Sequence, residues 1–193
     1  MGRPVTGPVI AFGSQAAWDA WLAEHHATSD GVWVKIAKKA SGIPTVTHAG
    51  ALEVALCYGW IDGQRNRFDE RWFVQRFTPR RSRSKWSKIN RGKAEQLIEL
   101  GRMQPAGLRE IERARADGRW DAAYDAPSTA TVPPDLQHAL DENPAAAAFF
   151  ATLNSQNRFA VIYQVHDAKK PQTRARRIAK FVAMLNDGTK PYP

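Results

Sequence analysis

Trp60-Ile61-Asp62-Gly63-Gln64-Arg65-Asn66-Arg67-Phe68-Asp69-Glu70-Arg71-Trp72-Phe73-Val74-Gln75-Arg76-Phe77-Thr78-Pro79 is the stretch that decides the fold. Two runs in it, 60–67 and 71–78, read as short strand candidates. Phe68-Asp69-Glu70 separates them at hairpin distance, although the Gly usual at such a tip is absent. Pro79 has no N–H for a ladder and ends the second strand. With residues that sum to about 138 facing each other, Asp62 lies opposite Arg76 and Trp60 opposite Thr78. Side chains 60, 62 and 64 then share one face.

Upstream, 14–26 reads as a helix capped by Ser14, with Ala17, Trp18, Trp21, Leu22 and His25 on one stripe. Asp30-Gly31 marks a turn before a strand at 32–36, and Ser41-Gly42-Ile43-Pro44 marks a loop. Thr47 caps a helix that carries Ala51, Leu52, Ala55 and Leu56 inward and stops at Gly59. Downstream of the hairpin, Arg80–Lys85 alternates basic residues with serine, as a polar loop does. Helices are expected at about 87–100 and 105–117, each followed by a glycine. Asp125-Ala126-Pro127-Ser128-Thr129-Ala130-Thr131-Val132-Pro133-Pro134 reads as a linker. Helices at 136–140, 145–153, 157–165 and 171–186 follow. In the last, Ile178, Phe181, Val182 and Leu185 form the apolar stripe.

The expected fold is therefore α+β: a small antiparallel sheet with a central hairpin flanked by helices, then a helical C-terminal part. The boundaries are an α+β domain over 1–124, a linker over 125–134 and the helical part over 135–193.

Composition narrows the function classes. The 193 residues carry 28 Lys and Arg against 19 Asp and Glu, a net charge of +9, and 43% of them are hydrophobic, enough for a core. No apolar run reaches the roughly 18 residues of a membrane span, and no apolar stretch follows Met1-Gly2-Arg3-Pro4, so a cytoplasmic location is expected. One cysteine, Cys57, excludes an intramolecular disulfide, and five scattered histidines make no metal-ligand pattern. Neither a Walker A run nor a G-x-G-x-x-G run is present, and the serines have no nucleophile spacing. No metal and no cofactor is expected.

The charge is concentrated. Residues 61–93 hold eleven basic side chains against three acidic, a net +8. Residues 166–180 add a net +5. Such fields attract anionic partners when the fold gathers them, and otherwise serve as solvated faces.

Three stretches carry a family resemblance: Ala55-Leu56-Cys57-Tyr58-Gly59-Trp60-Ile61-Asp62-Gly63-Gln64; Gln75-Arg76-Phe77-Thr78-Pro79-Arg80-Arg81 leading to Ser84-Lys85-Trp86-Ser87-Lys88-Ile89-Asn90; and Ala168-Lys169-Lys170-Pro171-Gln172-Thr173-Arg174-Ala175-Arg176-Arg177-Ile178. Together they resemble the YdeI/OmpD-associated family, labelled bacteriocin-protection proteins, over nearly the whole chain including Pro191-Tyr192-Pro193. The resemblance implies a bacterial cytoplasmic protein of stress or bacteriocin tolerance. It implies no particular substrate, cofactor or catalytic set.

The candidate ligand-binding residues are Trp60, Asp62, Arg76, Thr78, Arg80, Arg81 and Trp86. Guanidinium forks suit phosphate or carboxylate, and indoles offer stacking planes. The alternative for the same residues is a cross-strand Asp62–Arg76 ion pair over a Trp-lined core, worth roughly 0.2–1 kcal/mol. Asp62 is the one candidate catalytic acid or base. Arg80–Lys93 suits a nucleic-acid backbone, or is a solvated loop before a capped helix. Cys57 reads as a buried thiol or, less simply, a nucleophile.

The leading expectation is a protein that binds an anionic small molecule or nucleic acid at a basic, Trp-lined surface. One alternative is an enzyme with Asp62 as acid or base and Arg76 orienting an anionic substrate. The other is a protein-interaction module acting through the helical C-terminal part. The balance leans away from an enzyme.

Overall fold

The computed structural model describes residues 5–192, in two compact units, Met1–Ala123 and Tyr124–Pro193. The readings of Met1-Gly2-Arg3-Pro4 and of Pro193 lie outside the described residues.

In the first unit the elements run β1 (Val9–Ala11), α1 (Gln15–His25), β2 (Val32–Ala37), α2 (His48–Cys57), β3 (Trp60–Arg67), β4 (Trp72–Pro79), α3 (Lys88–Glu99) and α4 (Pro105–Ala116). The sheet order is β1-β2-β4-β3. β2 and β3 both pair antiparallel with β4, as the hairpin reading requires. β1 pairs parallel with β2, so the sheet is mixed rather than wholly antiparallel. Its three residues, Val9-Ile10-Ala11, are too short to announce themselves by alternation. A short 3-10 turn, Lys39–Ser41, stands beside the expected loop.

The caps act where the sequence places them. Ser14, Thr47 and Ser87 each accept an N–H from the third residue on, at 3.1 Å. At the hairpin tip Asp69 replaces the missing glycine. Its Oδ1 accepts the N–H groups of Arg71 and Trp72 at 2.8 Å, so the side chain closes the turn.

The register differs from the simple sum. Trp60 faces Pro79 and Asp62 faces Phe77; a bulge follows, after which Arg65 faces Gln75. Gln75, 3% exposed, holds the bulge by donating from Nε2 to the Gly63 carbonyl at 2.8 Å. Asp62 therefore shares the face of Phe77, and Arg76 points to the other side of the sheet. The expected Asp62–Arg76 and Trp60–Thr78 pairs do not form.

That shared face carries the core. Val32, Val34 and Ile36 of β2 and Phe73 and Phe77 of β4 meet Trp18 and Leu22 of α1 and the apolar residues of α2. α2 buries residues on nearly every side because α1, β3, α3 and α4 all pack on it. Gly107 permits the closest approach. A Cβ there would stand 2.3 Å from the Cys57 carbonyl oxygen, so α4 meets the end of α2 backbone to backbone.

The second unit contains α5 (Pro134–Asp141), α6 (Pro144–Thr152), α7 (Ser155–His166) and α8 (Pro171–Asn186). Leu136, Leu140, Phe150, Val161, Val165, Phe181 and Leu185 make its core. In the stretch read as a linker, Ala130 and Val132 pack against this core. Arg174 of α8 forks onto Asp135 of α5, Nε to Oδ2 at 2.5 Å and Nη2 to Oδ1 at 2.7 Å.

Candidate functional site

The seven candidate residues divide among three places in the first unit. Trp60 is core: it is 1% exposed, and its indole N–H donates to the His26 carbonyl at 3.1 Å. It offers no stacking plane to a ligand. Asp62 lies against α2, where its Oδ2 is 3.0 Å from His48 Nε2. Arg76 and Thr78 lie on the opposite sheet face. Arg76 Nη2 donates to the Asp30 carbonyl at 3.5 Å, and burial lowers the pKa of its guanidinium. Asp62 and Arg76 thus cannot grip one substrate between them.

Arg80, Arg81 and Trp86 do come together, in the loop between β4 and α3. Arg80 is 5% exposed; its guanidinium carbon sits 3.5 Å from the Trp86 ring centroid, and Nη1 donates to the Lys85 carbonyl at 3.2 Å. Trp86, 2% exposed, meets Trp120 edge-to-face at 4.8 Å. Arg119 braces the loop from below, donating from Nη1 to the Ser84 carbonyl at 2.8 Å while Asp117 holds its Nε. The Arg81 N–H donates to Ser84 Oγ at 2.9 Å. Ser87 then caps α3. The loop between strand and helix is therefore clamped from beneath at several points.

What this rigid loop presents is charge. Residues 71–94 contain nine basic residues and no acidic one. Arg81, Arg83, Lys85 and Lys88 are exposed. The tryptophans support this surface and do not line it, which corrects the expectation of a Trp-lined surface. His48, Arg119 and Trp120 were not singled out by the motifs. His48 has no second histidine at ligand spacing, and Arg119-Trp120 lies outside the dense basic run.

Cys57 is a free, buried cysteine, 3% exposed. Burial pushes its thiol up to about 11, against a smaller lowering by Arg102. Among the described residues no group of three or more His, Cys, Asp or Glu is placed to hold a metal. No helix among them is long and apolar enough to cross a membrane.

Residues 10–110, 101 of the 193, match the family described as a domain of unknown function, DUF8412. The chain belongs to the DUF8412 family. Its C-terminal part, residues 129–188, matches the family described as bacteriocin-protection, YdeI or OmpD-associated. The YdeI/OmpD-associated match therefore covers the C-terminal part only. Of the three motif stretches, 168–178 falls inside it, whereas 55–64 and 75–90 fall inside the DUF8412 segment. No curated protein matches the chain, and no solved structure does.

Proposed function

We propose that this DUF8412 member binds the phosphate backbone of a nucleic acid through the loop that joins β4 to α3. The observation carrying the reading is a braced loop that exposes Arg81, Arg83, Lys85 and Lys88 within a segment free of acidic residues. Magnitudes favour a polyanion over a small phosphorylated molecule. One exposed ion pair contributes about 0.2–1 kcal/mol, too little to hold a single small anion. Several such contacts on one backbone release condensed counterions together, and that sum supports binding. Arg80 and Arg119 fix the loop in advance, which lowers the ordering cost of association.

The enzyme alternative loses its proposed pair, since Asp62 and Arg76 face opposite sides of the sheet. The bacteriocin-protection description of the C-terminal family is compatible with nucleic-acid binding and supplies no residue to it. A fluorescence-anisotropy titration of labelled single- and double-stranded oligonucleotides tests the proposal. Binding should be present at low ionic strength and lost when the four exposed cations are replaced by Gln.

A further inference from the structure

The basic loop runs into an apolar residue that phosphate contacts leave unused. Ile89, in the first turn of α3, is 51% exposed and follows directly on Lys88. A lone exposed aliphatic side chain is ordinary on a protein surface. This one is set apart by its place, since the exposed Arg81, Arg83, Lys85 and Lys88 all lie within eight residues before it. Its position is also fixed. Ser87 closes the turn from both of its ends, accepting the Asn90 N–H on Oγ at 3.1 Å and the Arg91 N–H on its carbonyl at 2.9 Å. The preceding Trp86 is buried. The space beside Ile89 is open: Gly92, one turn on and on the same face, would place a Cβ with nothing within 4 Å. Ile89 therefore stands clear above a bare stretch of helix.

Two features narrow the class of nucleic acid. Single strands are held largely by bases stacked on aromatic side chains. The indoles beneath this loop, Trp86 and Trp120, are 2% and 5% exposed and offer no such platform. Duplex DNA needs none, because it carries one phosphate charge per about 1.7 Å of axis for the cations to meet. An aliphatic side chain beside those cations then has a specific use. In the minor groove of DNA, Ile, Leu, Met or Phe enters between base pairs, unstacks one step and kinks the duplex. A β-branched chain is stiff at χ1, so Ile89 keeps its direction and loses little freedom on insertion. Duplex RNA presents instead a wide, shallow minor groove lined with 2′-hydroxyls, to which an apolar group makes no bond.

We infer that the ligand of this site is duplex DNA and that Ile89 enters its minor groove as a wedge, kinking it by about 20–90°. The inference rests on the proposed phosphate contacts of the loop and adds to them the class of nucleic acid and the residue that deforms it.

A DNA duplex of about 20 base pairs, roughly 68 Å long, with a donor dye at one end and an acceptor at the other, tests it. Saturating wild-type protein at low ionic strength should raise energy transfer between the ends. At saturation Ile89→Ala should leave the transfer at the level of free DNA, whereas Ile89→Leu, still a wedge, should retain the rise. Residue 89 carries no charge, so the dependence of log binding constant on log salt should be the same for Ile89→Ala as for the wild type. That comparison separates a lost wedge from lost phosphate contacts. By anisotropy, the duplex should bind at least about tenfold more tightly than either of its strands or than duplex RNA of the same sequence. Duplex binding without a change in transfer, a full rise with Ile89→Ala, or equal affinity for single strands or duplex RNA overturns the inference and leaves the phosphate contacts standing. Failure to bind any of these nucleic acids overturns both.

Discussion

The guanidinium of Arg80 lies 3.5 Å from the ring centroid of Trp86, and both residues are almost wholly buried beneath an exposed basic loop. A cation held at that depth stiffens what lies above it: one face rests on the indole and Nη1 donates to the Lys85 carbonyl. Trp86→Ala should cost about 3–5 kcal/mol, the usual range for deleting a buried large aromatic. Arg80→Met keeps much of the volume and should cost less, about 1–2 kcal/mol, the size of a desolvated cation–aromatic contact. Urea denaturation midpoints for the two variants check both values, and equal costs would contradict this division.

Gly107 and Gly92 should respond in opposite directions to the same substitution. At Gly107 a methyl group meets the Cys57 carbonyl oxygen at 2.3 Å and Met103 Sδ at 2.5 Å, so Gly107→Ala should destabilise by about 1–3 kcal/mol. At Gly92, inside α3, a Cβ meets nothing within 4 Å. Gly92→Ala should therefore stabilise by about 0.4–1 kcal/mol, chiefly through the unfolded chain. Paired thermal melts read both signs at once.

Asp62 and Arg76 should be energetically independent. A double-mutant cycle with Asp62→Asn and Arg76→Gln should give a coupling below about 0.5 kcal/mol, as for sites without shared partners. The cycle between Asp62→Asn and His48→Gln should give a measurable coupling, since their side chains meet at 3.0 Å. A larger coupling for the first pair would return the simple register.

These pairs mark what the sequence could and could not convey. Caps at Ser14, Thr47 and Ser87, the hairpin, and α8 from Pro171 are local signals, and each is legible from a few neighbouring residues. The bulge at Gly63 and Gln64 is not. It depends on a buried amide, Gln75, whose role appears only once the strands pair. One residue of slip moves a side chain to the other face, and so the expected ion pair dissolved. The charge cluster was legible as composition. Its bracing by Arg119 was not, because that residue reaches back 35 positions to Ser84. The burial of Trp60 and Trp86 was ambiguous for a physical reason: an indole beside an arginine reads equally as platform or as core.

The thiol of Cys57 should be protected in the native state. Burial raises it from 9.0 to about 11, so its thiolate fraction near pH 8 falls by about a hundredfold. Because the folded value lies above the unfolded one, the associated stability is intact below the unfolded value and is lost as pH rises toward the folded one. Thiol-reagent labelling at pH 8 should be at least about a hundredfold slower in the native protein than in denaturant. Equal rates would contradict the burial.

Asp135 should make the second unit acid-sensitive. The Arg174 hydrogen bonds, outweighing the cost of desolvation, hold its carboxyl below the ordinary value. The folded value is depressed, so the stabilisation is present above the unfolded value and is lost as pH falls through the folded one. Both side chains are partly exposed, which screens the pair to about 0.2–1 kcal/mol. Asp135→Asn should remove that increment at pH 7, and the difference from the wild type should shrink as pH falls through the folded value, as read from urea midpoints across pH.

The central claim is that the four exposed cations of the β4–α3 loop hold a phosphate backbone. It is tested most directly by the slope of log binding constant against log salt concentration. The wild type is compared with the variant carrying Arg81→Gln, Arg83→Gln, Lys85→Gln and Lys88→Gln. Each lost phosphate contact should reduce the slope by about 0.7–0.9, so the variant should be shallower by roughly three and bind weakly even at low salt. Its far-UV circular dichroism should show the wild-type fold, because the clamping residues Arg80, Trp86 and Arg119 are untouched. An unchanged slope, or no binding by the wild type at low ionic strength, would contradict the claim.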